Sequence, residues 1–162
     1  QEAVNKWSVI KSKNINLKLH MIGKLQTNKV KNVIPLFDYI HSLDSLKLAK
    51  KISAEQKKIN RNLKIFIQVN IGEEKQKGGI DSKELNDFYK ICSLKLNLNI
   101  IGLMCIPPKE CNLETHFKLM KELNVSLGLK ELSMGMSSDY MDAIKYGSTY
   151  VRIGSRIFGS RD

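Results

Sequence analysis

With 162 residues, 42% of them hydrophobic, the chain has the length and apolar content of one folded domain and not of a disordered segment. Its formal net charge of +11 would suit a polyanion, yet the lysines are scattered from Lys6 to Lys145 and only Arg61, Arg152, Arg156 and Arg161 are arginine. That spread lacks the clustered basic stripe with interleaved aromatics that marks a nucleic-acid footprint, although it still favours phosphate-bearing small molecules.

In chain order, QEAVNKWSVIKSKN carries no signal-type apolar run and reads as a helix entered part-way, so an upstream portion is expected. Six short apolar runs follow: LKLHMIG ending at Gly23, FDYIHSL closing near Ser42, KIFIQVNI, NIIGLMCI, KELSMGM and TYVRIGS. They are too short for core helices and read as strands. No run reaches the roughly 18 apolar residues of a membrane span. Asp44 is placed to cap a helix with Leu46, Ala49 and Ile52 on one face and KKISAEQKK as its solvated side. Asp81 or Ser82 starts a second, with Leu85, Phe88, Tyr89 and Cys92 at helical spacing. Asn112 caps a third that carries Phe117, Met120, Leu123 and Leu127 and stops at Gly128. Ser137 or Ser138 opens a short helix with Asp139 and Asp142 early, where acidic groups suit the dipole, and Gly147 ends it.

Strands alternating with helices predict α/β architecture with parallel strands. A closed (β/α)8 barrel needs eight strands and about six are present, so the expected form is an incomplete TIM-like barrel, one domain over residues 1–162. Cys92, on an apolar helix face, and Cys105, inside a strand, read as small buried hydrophobes. With Cys111 they form neither a CxxC pair nor a metal-ligand spacing, which predicts a reducing, cytoplasmic setting and no zinc site.

The chemistry concentrates in residues 132–162. After the strand through Met134 come Gly135, Met136 and Ser137, a turn with a hydroxyl at a helix start; after the strand through Ile153 come Gly154 and Ser155. Two neighbouring strand ends of this kind form the usual phosphate cradle of barrel folds, with unpaired backbone N–H groups aimed at the anion. Alternation sends Arg152 and Gly154 to one face, which puts a guanidinium beside that cradle.

LHMIGKLQTNKVK (19–31), IHSLDS (40–45), FIQVNIGEEKQKGGI (66–80), IIGLMCIP (100–107) and LSMGMSSDYMDAI…GSTYVRIGSRIFG together resemble the pyridoxal phosphate homeostasis protein family. This family, also called the proline synthase co-transcribed homologues, is related to the alanine racemase N-terminal barrel. The resemblance implies pyridoxal 5′-phosphate (PLP) bound at the C-terminal mouth of the barrel, without established turnover, in a cytoplasmic monomer that regulates free PLP and contacts neither membrane nor specific nucleic acid. It implies that Ser137, Gly154 and Ser155 contact the phosphate and Arg152 the ring nitrogen. His20, Ser42, Met104 and Met134 would line the cavity. Ser155 stands where threonine is common in the family. The family's covalent lysine belongs to a first strand upstream of Gln1-Glu2, while Lys24 and Lys29 fall in LQ-x-NK and Lys75 and Lys77 in a polar loop. Non-covalent retention is therefore the expectation.

Other readings stand beside these. On chemistry alone His20 is a half-buried histidine, His41 and His116 are ordinary, and Met104, Met134 and Met136 are core. Ser137 serves equally as a helix cap, and Arg152 as a structural ion-pair partner. A racemase or decarboxylase on the same fold is the competing function, and a polyanion-binding module a third.

Overall fold

A computed structural model describes residues 2–14, 16–74, 78–108 and 112–159; Gln1, Lys75, Lys77 and Cys111, each weighed above, lie outside the described residues. The elements run α1 (Glu2–Lys13), β1 (His20–Met21), α2 (Val30–Val33), β2 (Tyr39–Leu43), α3 (Leu46–Lys58), β3 (Lys64–Gln68), α4 (Leu85–Lys90), β4 (Asn99–Met104), α5 (Leu113–Ser126), β5 (Glu131–Met136), α6 (Tyr140–Lys145), β6 (Tyr150–Arg152) and α7 (Ser155–Phe158). Each expected strand is present, shorter than its apolar run.

All six strands pair in parallel in the order β1-β2-β3-β4-β5-β6. One face carries Ile40, Ile65, Ile67, Leu103, Leu132 and Met134 and packs into the main apolar core with Leu48, Ile52, Phe88, Phe117 and Met120 from the helices. The other face carries His41, Phe66, Met104 and Ser133, also buried. The sheet is strongly rolled, because Tyr150 on β6 lies 5.8 Å, ring to ring, from both His20 on β1 and Tyr39 on β2. The product is an open parallel α/β half-barrel, helices outside and rings inside.

Helix boundaries follow local chemistry with corrections at three starts, of which one is α6: it begins at Tyr140 with Asp139 at the N-cap position and not at Ser137 or Ser138. Ser45, not Asp44, caps α3: its extended backbone lets Oγ accept from Leu48 N at 3.4 Å. Leu46 is consequently exposed, and the buried stripe runs Leu48, Ala49, Ile52. The charged stretch of α3 is only partly solvated. Glu55 pairs with Lys51 and Lys58, but Ser53 Oγ donates to the Leu96 carbonyl and Gln56 Oε1 accepts from Leu63 N at 2.6 Å. The second helix begins at Leu85, after a turn in which Asp81 Oδ1 accepts from Lys83 N, and it ends in a π-type turn over Ile91–Lys95 that buries Cys92. Asn112 caps α5 as expected, accepting from Thr115 N at 3.2 Å, and Gly128 takes the left-handed conformation that stops it. Asn112→Ala should therefore destabilise the chain by about 1 kcal/mol, read as a lower urea midpoint with an unchanged slope.

One glycine shapes the mouth of the half-barrel. Gly135 has φ of +93°, and a Cβ there would stand 2.7 Å from the Cβ of Ala143. Its absence lets α6 close against the end of β5 and sets the position of the turn that follows.

Candidate functional site

A cavity of about 1360 Å³ opens at the C-terminal ends of the strands and runs down the concave face between β6 and β1. Five of the expected residues line it: His20, Ser137, Arg152, Gly154 and Ser155. Ser137 comes from the turn after β5 and Gly154 from the turn after β6. The Gly154 N–H donates to Ser137 Oγ at 3.0 Å, so the two turns meet. No atom lies within 4 Å of where a Gly154 Cβ would stand, which leaves that backbone open to the cavity.

Arg152 points inward. Its Nη1 donates to Ser133 Oγ at 2.8 Å and its Nη2 to the Cys105 carbonyl at 2.8 Å. Burial pushes the guanidinium pKa down, with Cys105 and Asp139 pulling the other way. The group still carries its charge, as arginine does in proteins. The cradle and the cation are thus adjacent, a combination suited to an anionic ligand with an acceptor ring.

His41 is not the ordinary residue that the sequence alone suggests. It is 2% exposed, lines the cavity, and stacks on Phe66 with ring centroids 4.3 Å apart. Its Nε2 meets His20 Nδ1 at 2.9 Å and its Nδ1 meets Ser133 Oγ at 2.8 Å. Burial, reinforced by His20 and Arg152, lowers its pKa to about 3. His20 stacks almost flat on Tyr39, centroids 4.0 Å apart, and burial lowers its pKa against the pull of Asp38. Tyr150, also missed, has its hydroxyl pushed up to about 12 by burial and by its bond to Tyr39. His116 is ordinary: it sits exposed on α5, with Nδ1 2.9 Å from the Asn112 carbonyl oxygen.

Three expected wall residues lie elsewhere. Met134 follows the inward Ser133 and so turns outward into the helix-facing core, fully buried. Ser42 follows the inward His41 and is likewise buried away from the cavity. Met104 shares the concave face, paired in register with Gln68 and Ser133, but is 1% exposed and is not among the lining residues. Strand alternation explains the first two: adjacent residues cannot share a face.

The meeting turns of Ser137 and Gly154 and the inward Arg152 fit the phosphate and ring ends of a group such as PLP. Among the described lining residues there is no carboxylate and no lysine. Among the described residues no set of three His, Cys, Asp or Glu groups could hold a metal ion, and no helix is long and apolar enough to cross a membrane. Cys92 and Cys105 are buried thiols outside any disulfide among the described residues, the Cys92 thiol being pushed up to about 12 by burial.

The alanine racemase N-terminal domain family matches residues 1–162. The chain is 38% identical over 172 residues to a pyridoxal phosphate homeostasis protein of Pasteurella multocida, covering 100% of this chain and 74% of that one. It is 39% identical over 170 residues to the protein of that name from Aquifex aeolicus, covering 99% of this chain and 74% of the relative. PipY of Synechococcus elongatus, solved with PLP bound, superposes with a TM-score of 0.84 at 30% identity, over 96% of this chain and 78% of PipY. Alanine racemase from Corynebacterium glutamicum superposes with a TM-score of 0.71 at 12% identity, over 98% of this chain and 46% of the racemase, a likeness of fold alone. With the half-barrel, the meeting of the two turns and these matches in hand, the chain belongs to the alanine racemase N-terminal domain family, among its pyridoxal phosphate homeostasis proteins.

Proposed function

We propose that this chain binds PLP in the cavity at the strand ends and serves intracellular PLP homeostasis as a single-domain, cytoplasmic monomer without catalytic turnover. One observation carries the reading: Ser137 Oγ and the Gly154 N–H meet at 3.0 Å beside the inward Arg152. Ser137, Gly154 and Ser155 would hold the phosphate, through a hydroxyl and backbone N–H groups. Arg152 would face the ring nitrogen. The names of the relatives from Pasteurella and Aquifex and the PLP-bound form of PipY support the same ligand.

When bound to enzymes, PLP supplies an electron sink for carbanions. This site disfavours that use, because the Arg152 charge opposes protonation of the ring nitrogen. Tyr150 is one lining residue with an acid or base function to offer, yet a hydroxyl held near 12 keeps its proton at neutral pH. With no lysine in the described lining, retention rests on the phosphate and ring contacts.

Pyridoxine 5′-phosphate has no carbonyl and cannot bond to any lysine, so it isolates this non-covalent recognition. The chain should bind it saturably in equilibrium dialysis, with inorganic phosphate as a competitor. Ser137→Asp should weaken binding at least about tenfold by placing a charge against the phosphate. Absence of saturable binding by the unmodified chain would sink the proposal.

A further inference from the structure

Ser133, fully buried on β5, touches two polar groups with its hydroxyl: Arg152 Nη1 and His41 Nδ1, each at 2.8 Å. A guanidinium can only donate, so Ser133 Oγ accepts from Arg152. The hydroxyl proton then needs an acceptor, since a buried donor left unpaired is costly. Of its two neighbours only His41 Nδ1 can accept. Neutral His41 must therefore carry its ring proton on Nε2, from which it donates to His20 Nδ1 at 2.9 Å. The His20 proton in turn sits on Nε2. Hydrogen bonds thus run one way, Arg152 to Ser133 to His41 to His20, across the interior from β6 to β1.

We infer that His41 and Ser133 are positioning residues that hold the Arg152 guanidinium at the ring end of the cavity and thereby select phosphorylated pyridines over other phosphate esters. Two of the guanidinium's N–H groups are tied to Ser133 Oγ and the Cys105 carbonyl, which fixes the plane of the fork. Phe66 backs His41 and Tyr39 backs His20, so neither imidazole can swing freely. A proton added to His20 Nδ1 would face the His41 Nε2 proton, and one added to His41 Nδ1 would strand the Ser133 proton. The depressed pKa values of both rings agree with this order. The inference rests on the PLP reading for the ligand, but the order of the hydrogen bonds does not.

Two readouts separate them. In ¹⁵N NMR of the ligand-free chain at neutral pH, His41 and His20 should each show a pyridine-type Nδ1 and a pyrrole-type Nε2. A pyrrole-type His41 Nδ1 overturns the inference. In titrations, the wild type should prefer pyridoxine 5′-phosphate to benzyl phosphate, which lacks the ring nitrogen, by about tenfold, the equivalent of about 1.4 kcal/mol. Ser133→Ala, which removes only a hydroxyl, and His41→Phe, which keeps the stack on Phe66, should each bring that ratio to about one, while Ser133→Thr restores it. A simple loss of packing would weaken both esters together. An unchanged ratio in both variants overturns the inference. If the wild type binds neither ester, the cofactor reading fails, and the NMR result still decides how Arg152 is held.

Discussion

Arg152→Glu is expected to weaken PLP binding by about a hundredfold or more, the scale on which truncating one partner of a buried charge contact costs roughly 2–5 kcal/mol. Three effects act in the same direction. The cavity loses the Arg152 cation, the Cys105 carbonyl and Ser133 Oγ lose their donors, and a carboxylate enters a wall with none among the described residues. Asp139, already felt by the guanidinium, would repel the new charge. Arg152→Lys keeps the charge without the planar fork and should fall between, about tenfold weaker than wild type. Equilibrium dialysis with PLP reads both. An affinity for the glutamate variant within twofold of wild type would place the ligand somewhere other than this cavity.

Acid should destabilise the fold through His41. In the unfolded chain this histidine takes a proton near its ordinary value of 6.5, whereas burial in the folded state holds it off until about 3. Between those values the unfolded state binds more protons, so stability rises with pH and falls as pH drops. His41's contribution is complete above 6.5 and is lost progressively on acidification through that window. One proton corresponds to a slope of about 1.4 kcal/mol per pH unit at its steepest. His20, also lowered, adds in the same direction. Urea unfolding at pH 7, 6, 5 and 4 measures the slope. His41→Phe, which cannot titrate, should flatten it, and parallel curves for the two proteins would show that His41 is not held neutral.

Much of the architecture was legible because each strand is a short apolar run and α3 and α5 carry local end signals. Asn112 and Gly128 bracket α5 as read, for reasons confined to a few neighbouring residues. Ser45 displaced Asp44 because two adjacent residues can both cap, and only the backbone conformation chooses between them. The cradle was legible for a similar reason. Ser137 and Gly154 each follow a strand, and neighbouring parallel strands bring such turns together without further information.

The inner wall was less legible. A parallel sheet buried on both faces gives strands with no polar alternation, so nothing in YIHSL or ELSMGM marks which residues turn inward. The inward residues are His41 and Ser133, and not Ser42 and Met134, one position along. Arg152 was the exception, since a lone cation in an apolar strand demands a buried partner.

By itself the sequence determined the order of strands and helices, the parallel sheet and the pairing of Ser137 with Gly154, because these depend on local backbone preferences and on adjacency along the chain. Only the tertiary structure decided that His20, His41, Ser133 and Arg152 form one hydrogen-bonded line. Those four residues come from four strands, and the roll of the sheet that brings β6 back toward β1 sums small twists that no single segment encodes.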